Sequence, residues 1–133
     1  MKKAVIVGSF SNPSAILAVR DVLRKHGYDA YPDEEHFKQL DELVKNSNSK
    51  EYAVKRLQLM QKFLKKLQEA DLVYVFNQKD GKEYIGVGAS FDIGYSLALN
   101  KKIVFHQPPS DPNMYSIYLM LNAGKKESTE GVR

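Results

Sequence analysis

Between Tyr84 and Ala98 the chain reads Tyr-Ile-Gly-Val-Gly-Ala-Ser-Phe-Asp-Ile-Gly-Tyr-Ser-Leu-Ala, which sets Asp92 among glycines. The stretch follows an apolar run, Leu72 to Phe76, with the character of a buried strand. It leads into a helix expected from about Ser90 to Asn100, which ends before a second apolar run, Ile103 to Phe105. In an open α/β fold, the loops beyond the carboxyl ends of the strands form the usual ligand crevice. About one turn into its helix, Asp92 can look back into that crevice. A carboxylate held over a sugar-sized pocket suggests chemistry at an anomeric carbon. A plainer role is open to the same residue, because an Asp near a helix N-terminus stabilises the helix dipole by ~0.3–1 kcal/mol. Gly86 and Gly88 carry the same two readings: they line a site, or they only permit a tight strand-to-helix turn.

Other chemistry is excluded by spacing. Gly86-x-Gly88 is not the dinucleotide fingerprint, because the turn after the first strand is Gly8-Ser9-Phe10-Ser11-Asn12. No Gly-Lys-Ser/Thr follows a glycine-rich loop, so a Walker-type phosphate site is not expected. Ser9, Ser11 and Asn12 are able to donate to a phosphate or a sugar hydroxyl, or to cap the helix that follows. His26, His36 and His106 have no partners at ligand spacing, so neither a metal site nor a cofactor is expected. His106 ends a strand at the productive edge of the sheet, and a surface role is expected for it. The chain has no cysteine, which removes a disulfide framework, a cysteine metal site and a thiol nucleophile.

The elements that must position Asp92 alternate along the chain. Ala4 to Val7 is a short β-rich run closed by Gly8. Ser11 or Asn12 caps the next helix, with Pro13 in its first turn and Gly27 as its terminator. Tyr28 to Tyr31 is the second strand. A helix over Glu34 to Lys45 and a turn at 46–49 precede a long helix, whose stripe Leu57, Met60, Phe63, Leu64 and Leu67 reads as core or as a helix-hairpin interface. Residues 77–83 form a polar loop. Met114 to Leu121 is a helix or an edge strand, with Asp111-Pro112-Asn113 favouring a helix start. The tail from Lys125 frays or adds a fifth strand. The β-α-β order predicts a three-layer α/β sandwich with a flavodoxin-like parallel sheet, strand order 2-1-3-4.

Bulk composition agrees. With 133 residues, 43% hydrophobic and 27% charged, the chain is expected to be one globular domain rather than disordered. The net charge of +4 comes mainly from lysines scattered over 38–66 and the tail. They lack the aromatic interleaving of a single-strand binder, so a nucleic-acid partner is not expected. A mildly basic surface favours an anionic metabolite such as a nucleotide. No run approaches the ~18 apolar residues of a membrane span, and the N-terminal apolar run is too short for a signal peptide. A cytoplasmic location without membrane contact follows as an expectation.

Taken together, Gly8-Ser9-Phe10, Ala70-Asp71, Tyr84-Ile85-Gly86, Ser90, Asp92-Ile93-Gly94-Tyr95 and Lys101-Lys102-Ile103-Val104 resemble the nucleoside 2-deoxyribosyltransferase family, including its nucleoside 5′-monophosphate N-glycosidase branch. The resemblance covers roughly residues 3–106 and implies one such domain over residues 1–133. It implies that Asp92 stands where the family has its nucleophilic Glu, which attacks C1′, expels the base and forms a covalent glycosyl-enzyme. A second base or water then resolves that intermediate. It further implies a role for Asp71 beside Asp92 in catalysis, and substrate contacts from Gly8, Ser9, Phe10, Gly86, Gly88, Ser90 and Asn113. Ser90 would face a phosphate, and Asn113 would complete a neighbouring subunit's site in a homo-oligomer, dimer or higher. Tyr95 packs under Asp92 or belongs to the core. The chain departs from the family in three places: Asp92 is one methylene shorter than Glu, Val5 replaces a Tyr, and Gly86 replaces a base-holding Asp. The activity implied is hydrolysis or transfer at the N-glycosidic bond of a nucleoside or nucleotide. The alternative is a non-catalytic nucleotide-binding or assembly module that kept the fold.

Overall fold

The computed structural model describes residues 1–45 and 48–129. Four parallel strands, β1 (Lys2–Gly8), β2 (Tyr28–Tyr31), β3 (Leu72–Phe76) and β6 (Lys102–Phe105), form one sheet in the order β2-β1-β3-β6. This is the expected 2-1-3-4 order, with β6 as the fourth strand. The register sets Val5 beside Tyr31 and Val73, Gly8 beside Phe76, and Val75 beside Phe105.

Strands buried on both faces must be apolar at successive positions, and these are. Val5, Val7, Val73 and Val75 point to one face, where they pack with Phe63, Leu67 and Ile93. Ala4, Ile6, Leu72 and Phe76 point to the other, against Ile16 and Leu23 of α1 (Pro13–Lys25). The first face carries α3 (Ser49–Glu69), α4 (Val87–Ala98) and the start of α5 (Pro112–Thr129). The result is the three-layer α/β sandwich. Among the described residues, no helix is long and apolar enough to cross a membrane.

Several element details differ from the sequence reading. The buried side of α3 is Leu59, Phe63 and Leu67, whereas Leu57 is 52% exposed. Leu57 therefore falls about a third of a turn off the buried side, whereas Phe63 and Leu67 of the expected stripe lie on it. The polar loop contains a small antiparallel hairpin, β4 (Gln78–Lys79) and β5 (Lys82–Glu83). Asp80 and Gly81 take φ of 51° and 76° between them, the left-handed pair that a type I′ turn requires. The segment after β6 is the helix that Asp111-Pro112-Asn113 favours: Asp111 caps α5 by accepting from the Met114 N–H at 3.0 Å. Helix continues through Thr129, so the fifth strand is not formed over Lys125 to Thr129. The last four residues lie outside the described part.

Two anchors hold the segments that matter for the site. Arg20, buried on α1, pairs with Glu34, the first residue of α2 (Glu34–Lys45), and with Asp21 at 3.1 Å. Asp33 then accepts from the backbone N–H of His36 at 2.9 Å and caps that helix. At the carboxyl end of β3, Asn77 is fully buried. Its amide donates to Glu83 and to the Gln107 carbonyl, both at 2.9 Å, and accepts from the Gln107 N–H at 3.2 Å. Glu83 in turn accepts from Ser110. Burial pushes the Glu83 carboxyl up, but the hydrogen bonds from Ser110 and Asn77 outweigh it and hold the group below its ordinary range. Asn77→Ala strands several of these groups at once. A loss of ~2–3 kcal/mol of unfolding free energy is expected in denaturant titration.

Candidate functional site

The site is built on the carboxyl ends of β1 and β3. There β1 ends at Gly8 with φ 149°, and a Cβ placed on it would stand 2.3 Å from the Phe76 carbonyl oxygen. Only glycine lets β1 and the end of β3 approach so closely before the chain turns outward through Phe10. Asn12 stops the turn by capping α1, its side chain accepting from the Ala15 N–H at 3.3 Å. The space above these strand ends is closed by α2, α3 and the first turns of α4.

A cavity of about 450 Å³ results. Small-molecule sites are commonly ~300–1,000 Å³, so a nucleoside-sized ligand fits. Its walls are mostly apolar, with Phe10, Leu59, Phe63 and Leu64 prominent. Polar side chains reach it from three places: His36 on α2, Arg56 on α3 and Asp92 on α4.

Asp92 owes its position to where α4 begins. The N-cap is Gly86, and the helix starts at Val87, three residues before the expected Ser90. Asp92 is therefore six residues past the cap, in the second turn. Dipole stabilisation fades within the first turn, so that plainer role loses its basis. Gly88, one turn earlier on the same face, leaves open space in front of Asp92. Among the described residues, nothing hydrogen-bonds the Asp92 carboxylate. Burial pushes it up to about 6, against the opposing pull of the Arg56 charge. A carboxylate with this poor solvation is a better nucleophile and a better stabiliser of positive charge than one in water.

The other expected site residues are distributed unevenly. Gly8, Phe10 and Gly88 line the cavity with Asp92. Ser9 does not; its hydroxyl lies 3.0 Å from that of Ser11. Gly86 caps α4 beside the cavity, and the Tyr84 ring fills the space next to it, with the hydroxyl 3.0 Å from where a Cβ would be. Ser90 donates to the Gly86 carbonyl at 2.9 Å and is turned back along its own helix. Asn113 is exposed on the first turn of α5, outside the cavity wall.

Asp71 is not brought to Asp92. It opens β3, at the opposite end of the sheet from the cavity, and the five residues of that strand put roughly 15 Å of sheet between them. Its carboxylate accepts from the Lys3 backbone N–H at 2.8 Å while its own N–H donates to the Lys3 carbonyl at 2.8 Å. It fastens β3 to β1. Tyr95 does not support Asp92 by a hydrogen bond either. Its hydroxyl accepts from Gln68 at 2.6 Å and its ring stacks on Phe91.

Two cavity residues had no role in the sequence reading. His36 is 4% exposed, and its Nδ1 lies 2.8 Å from the Tyr31 hydroxyl. Burial pushes its pKa down to about 4, so the imidazole is neutral at physiological pH. Arg56 is a half-buried cation in an otherwise ordinary basic helix. His106, by contrast, is exposed, with Nδ1 at 2.7 Å from the Tyr74 hydroxyl. Among the described residues, no group of three or more His, Cys, Asp or Glu side chains is placed to hold a metal ion.

Comparison with solved structures finds the 2-desoxiribosyltransferase from Leishmania mexicana, matched with a TM-score of 0.55 over 84% of this chain and 68% of that one, at 15% sequence identity. At that identity the likeness is one of fold: a deoxyribosyltransferase-like parallel α/β sandwich. No family model matches the sequence. No curated protein matches it either.

Proposed function

We propose that this protein cleaves the N-glycosidic bond of a nucleoside or nucleoside 5′-monophosphate, with Asp92 as the nucleophile. The observation that carries the reading is a desolvated carboxylate facing a nucleoside-sized cavity at the carboxyl edge of a deoxyribosyltransferase-like sheet. In the reaction, an Asp92 oxygen bonds C1′ as the C1′–N bond breaks, and the electron pair of that bond leaves with the base. Water then releases the sugar, or a second base takes it. The Arg56 charge favours the ionised nucleophile and suits an anionic group on the substrate.

The reaction requires ionised Asp92. With its pKa pushed up to about 6, activity is expected to rise with pH through that value and to level off above it. A rate of base release that stays flat from pH 5 to 8 would contradict this assignment.

A second reading, a binding module without chemistry, is favoured by one observation: Asp92 is the single carboxylate on the cavity wall among the described residues. Thermal stabilisation by nucleosides with no base released would select it.

A further inference from the structure

A leaving base needs a hydrogen-bond partner, and the acids that the resemblance implied for that role are absent from this cavity. Asp71 is at the far end of β3, and position 86 is glycine. We infer that His36 is the base-recognising residue, offering its Nε2–H to an acceptor on the heterocycle while Tyr31 fixes its tautomer. The inference rests on the glycosidic reading of the cavity and assigns it a specificity-determining side chain.

Tyr31 is 7% and His36 4% exposed, so each polar atom on them is short of water. Their one mutual hydrogen bond is Tyr31 Oη to His36 Nδ1 at 2.8 Å. If Nδ1 donated, the tyrosine proton and the Nε2 lone pair would both lack a partner. If the hydroxyl donates, Nε2–H and the Oη lone pairs are left over, and this arrangement is preferred because the phenol is the better donor and the imidazole nitrogen the better acceptor of the two. Burial keeps both partners uncharged: the Tyr31 hydroxyl is pushed up to about 12 and His36 is held neutral.

The rings around His36 are at best weak acceptors for the remaining proton. Phe10, Phe37 and Phe63 have centroids 5.6, 5.9 and 5.9 Å away and offer no acceptor in their planes. His36 borders the cavity, so the missing acceptor is water there or a ligand that displaces it. Phe10 and Phe63 make flat apolar walls beside it, suited to an aromatic ring, whereas Asp92 on α4 marks the end where C1′ would lie. The class of ligand selected is a base with a carbonyl oxygen or an unprotonated ring nitrogen on its outer edge. The same N–H also stabilises the negative charge that the base acquires as it leaves.

The test compares parent purine nucleosides with their 1-, 3- and 7-deaza analogues, and uridine with its 2- and 4-deoxo analogues, together with the free bases. Both base release and calorimetric binding are measured on wild type, His36→Phe, His36→Gln and Tyr31→Phe. In wild type, removing one particular acceptor is expected to weaken binding by ~5–150-fold, the range of one buried hydrogen bond. In His36→Phe, which keeps the aromatic packing, the parent-to-analogue ratio should fall to within about twofold of unity, with intermediate ratios for His36→Gln and Tyr31→Phe. A purely structural His36 would shift the melting temperature and overall affinity but leave that ratio unchanged, and an unchanged ratio overturns the inference. A His36-dependent ratio in binding without base release supports the inference and removes the catalytic reading. Base release with a ratio indifferent to His36 does the reverse. No binding by any nucleoside or base overturns both.

Discussion

Asp92→Asn is expected to lose base release by at least ~1,000-fold while melting at a higher temperature than wild type at pH 7. Both effects come from the same desolvated carboxylate. An amide cannot bond C1′ or balance oxocarbenium charge, so the chemical step loses its nucleophile. The stability change follows from the ionisation. The folded protein holds the Asp92 proton up to about pH 6, whereas the unfolded chain releases it near 3.8. Stability from this residue is therefore greatest in acid, falls as pH climbs between those values, and is lowest above about 6. The ionised group costs the fold roughly 2 kcal/mol at pH 7 after discounting for its partial exposure. Asn removes that cost, and the gain should shrink as the pH approaches 4. Calorimetric melting at both pH values checks the sign. Asp92→Glu keeps the charge and lengthens the reach, and should retain more activity than Asp92→Asn.

Gly8→Ala should cost about 3–5 kcal/mol of stability and distort the floor of the cavity. The added Cβ would meet the Phe76 carbonyl oxygen at 2.3 Å, and that oxygen belongs to the central strand rather than to a flexible side chain. The φ of 149° adds backbone strain for any L side chain. Relief requires β1 and β3 to part where they support Phe10 and the cavity. Activity should therefore fall along with the denaturation midpoint. An alanine variant as stable as wild type would show that the close approach of the strands is not held in solution. The contrast with Gly86 is instructive. There a Cβ would meet only the end of the Tyr84 side chain, at 3.0 Å, which can move away.

The sheet was legible because its strands are apolar on both faces and are separated by segments with helical spacing or turn residues. That pattern leaves few arrangements for a parallel fold. The start of α4 was less legible. Its cap is Gly86 with no side-chain hydrogen bond, and its first turn contains Gly88, so neither the usual cap residues nor helix propensity mark it. Asp92 could be singled out all the same, because the glycines and the preceding strand located the crevice. Asp71 could have been set aside on topology alone: a residue that opens a parallel strand lies away from the carboxyl-end crevice. Leu57 and Leu59 sit in one helical run, and only packing against the sheet decides which faces inward. His36 was least accessible of all. Its burial depends on Phe10, Phe37 and Phe63, drawn from different elements, and on its partner Tyr31, the last residue of β2. The one local hint was its place just beyond the carboxyl end of β2, in a helix capped by Asp33.

The most direct measurement incubates the wild-type protein and Asp92→Asn with a mixture of nucleosides and nucleoside 5′-monophosphates and follows free base by chromatography, with a second base added in a parallel sample. The expected result is free base or an exchanged nucleoside from wild type and neither from Asp92→Asn. Equal release from both proteins, or none from wild type across the whole mixture, would contradict the assignment of Asp92 as a glycosyl-accepting nucleophile.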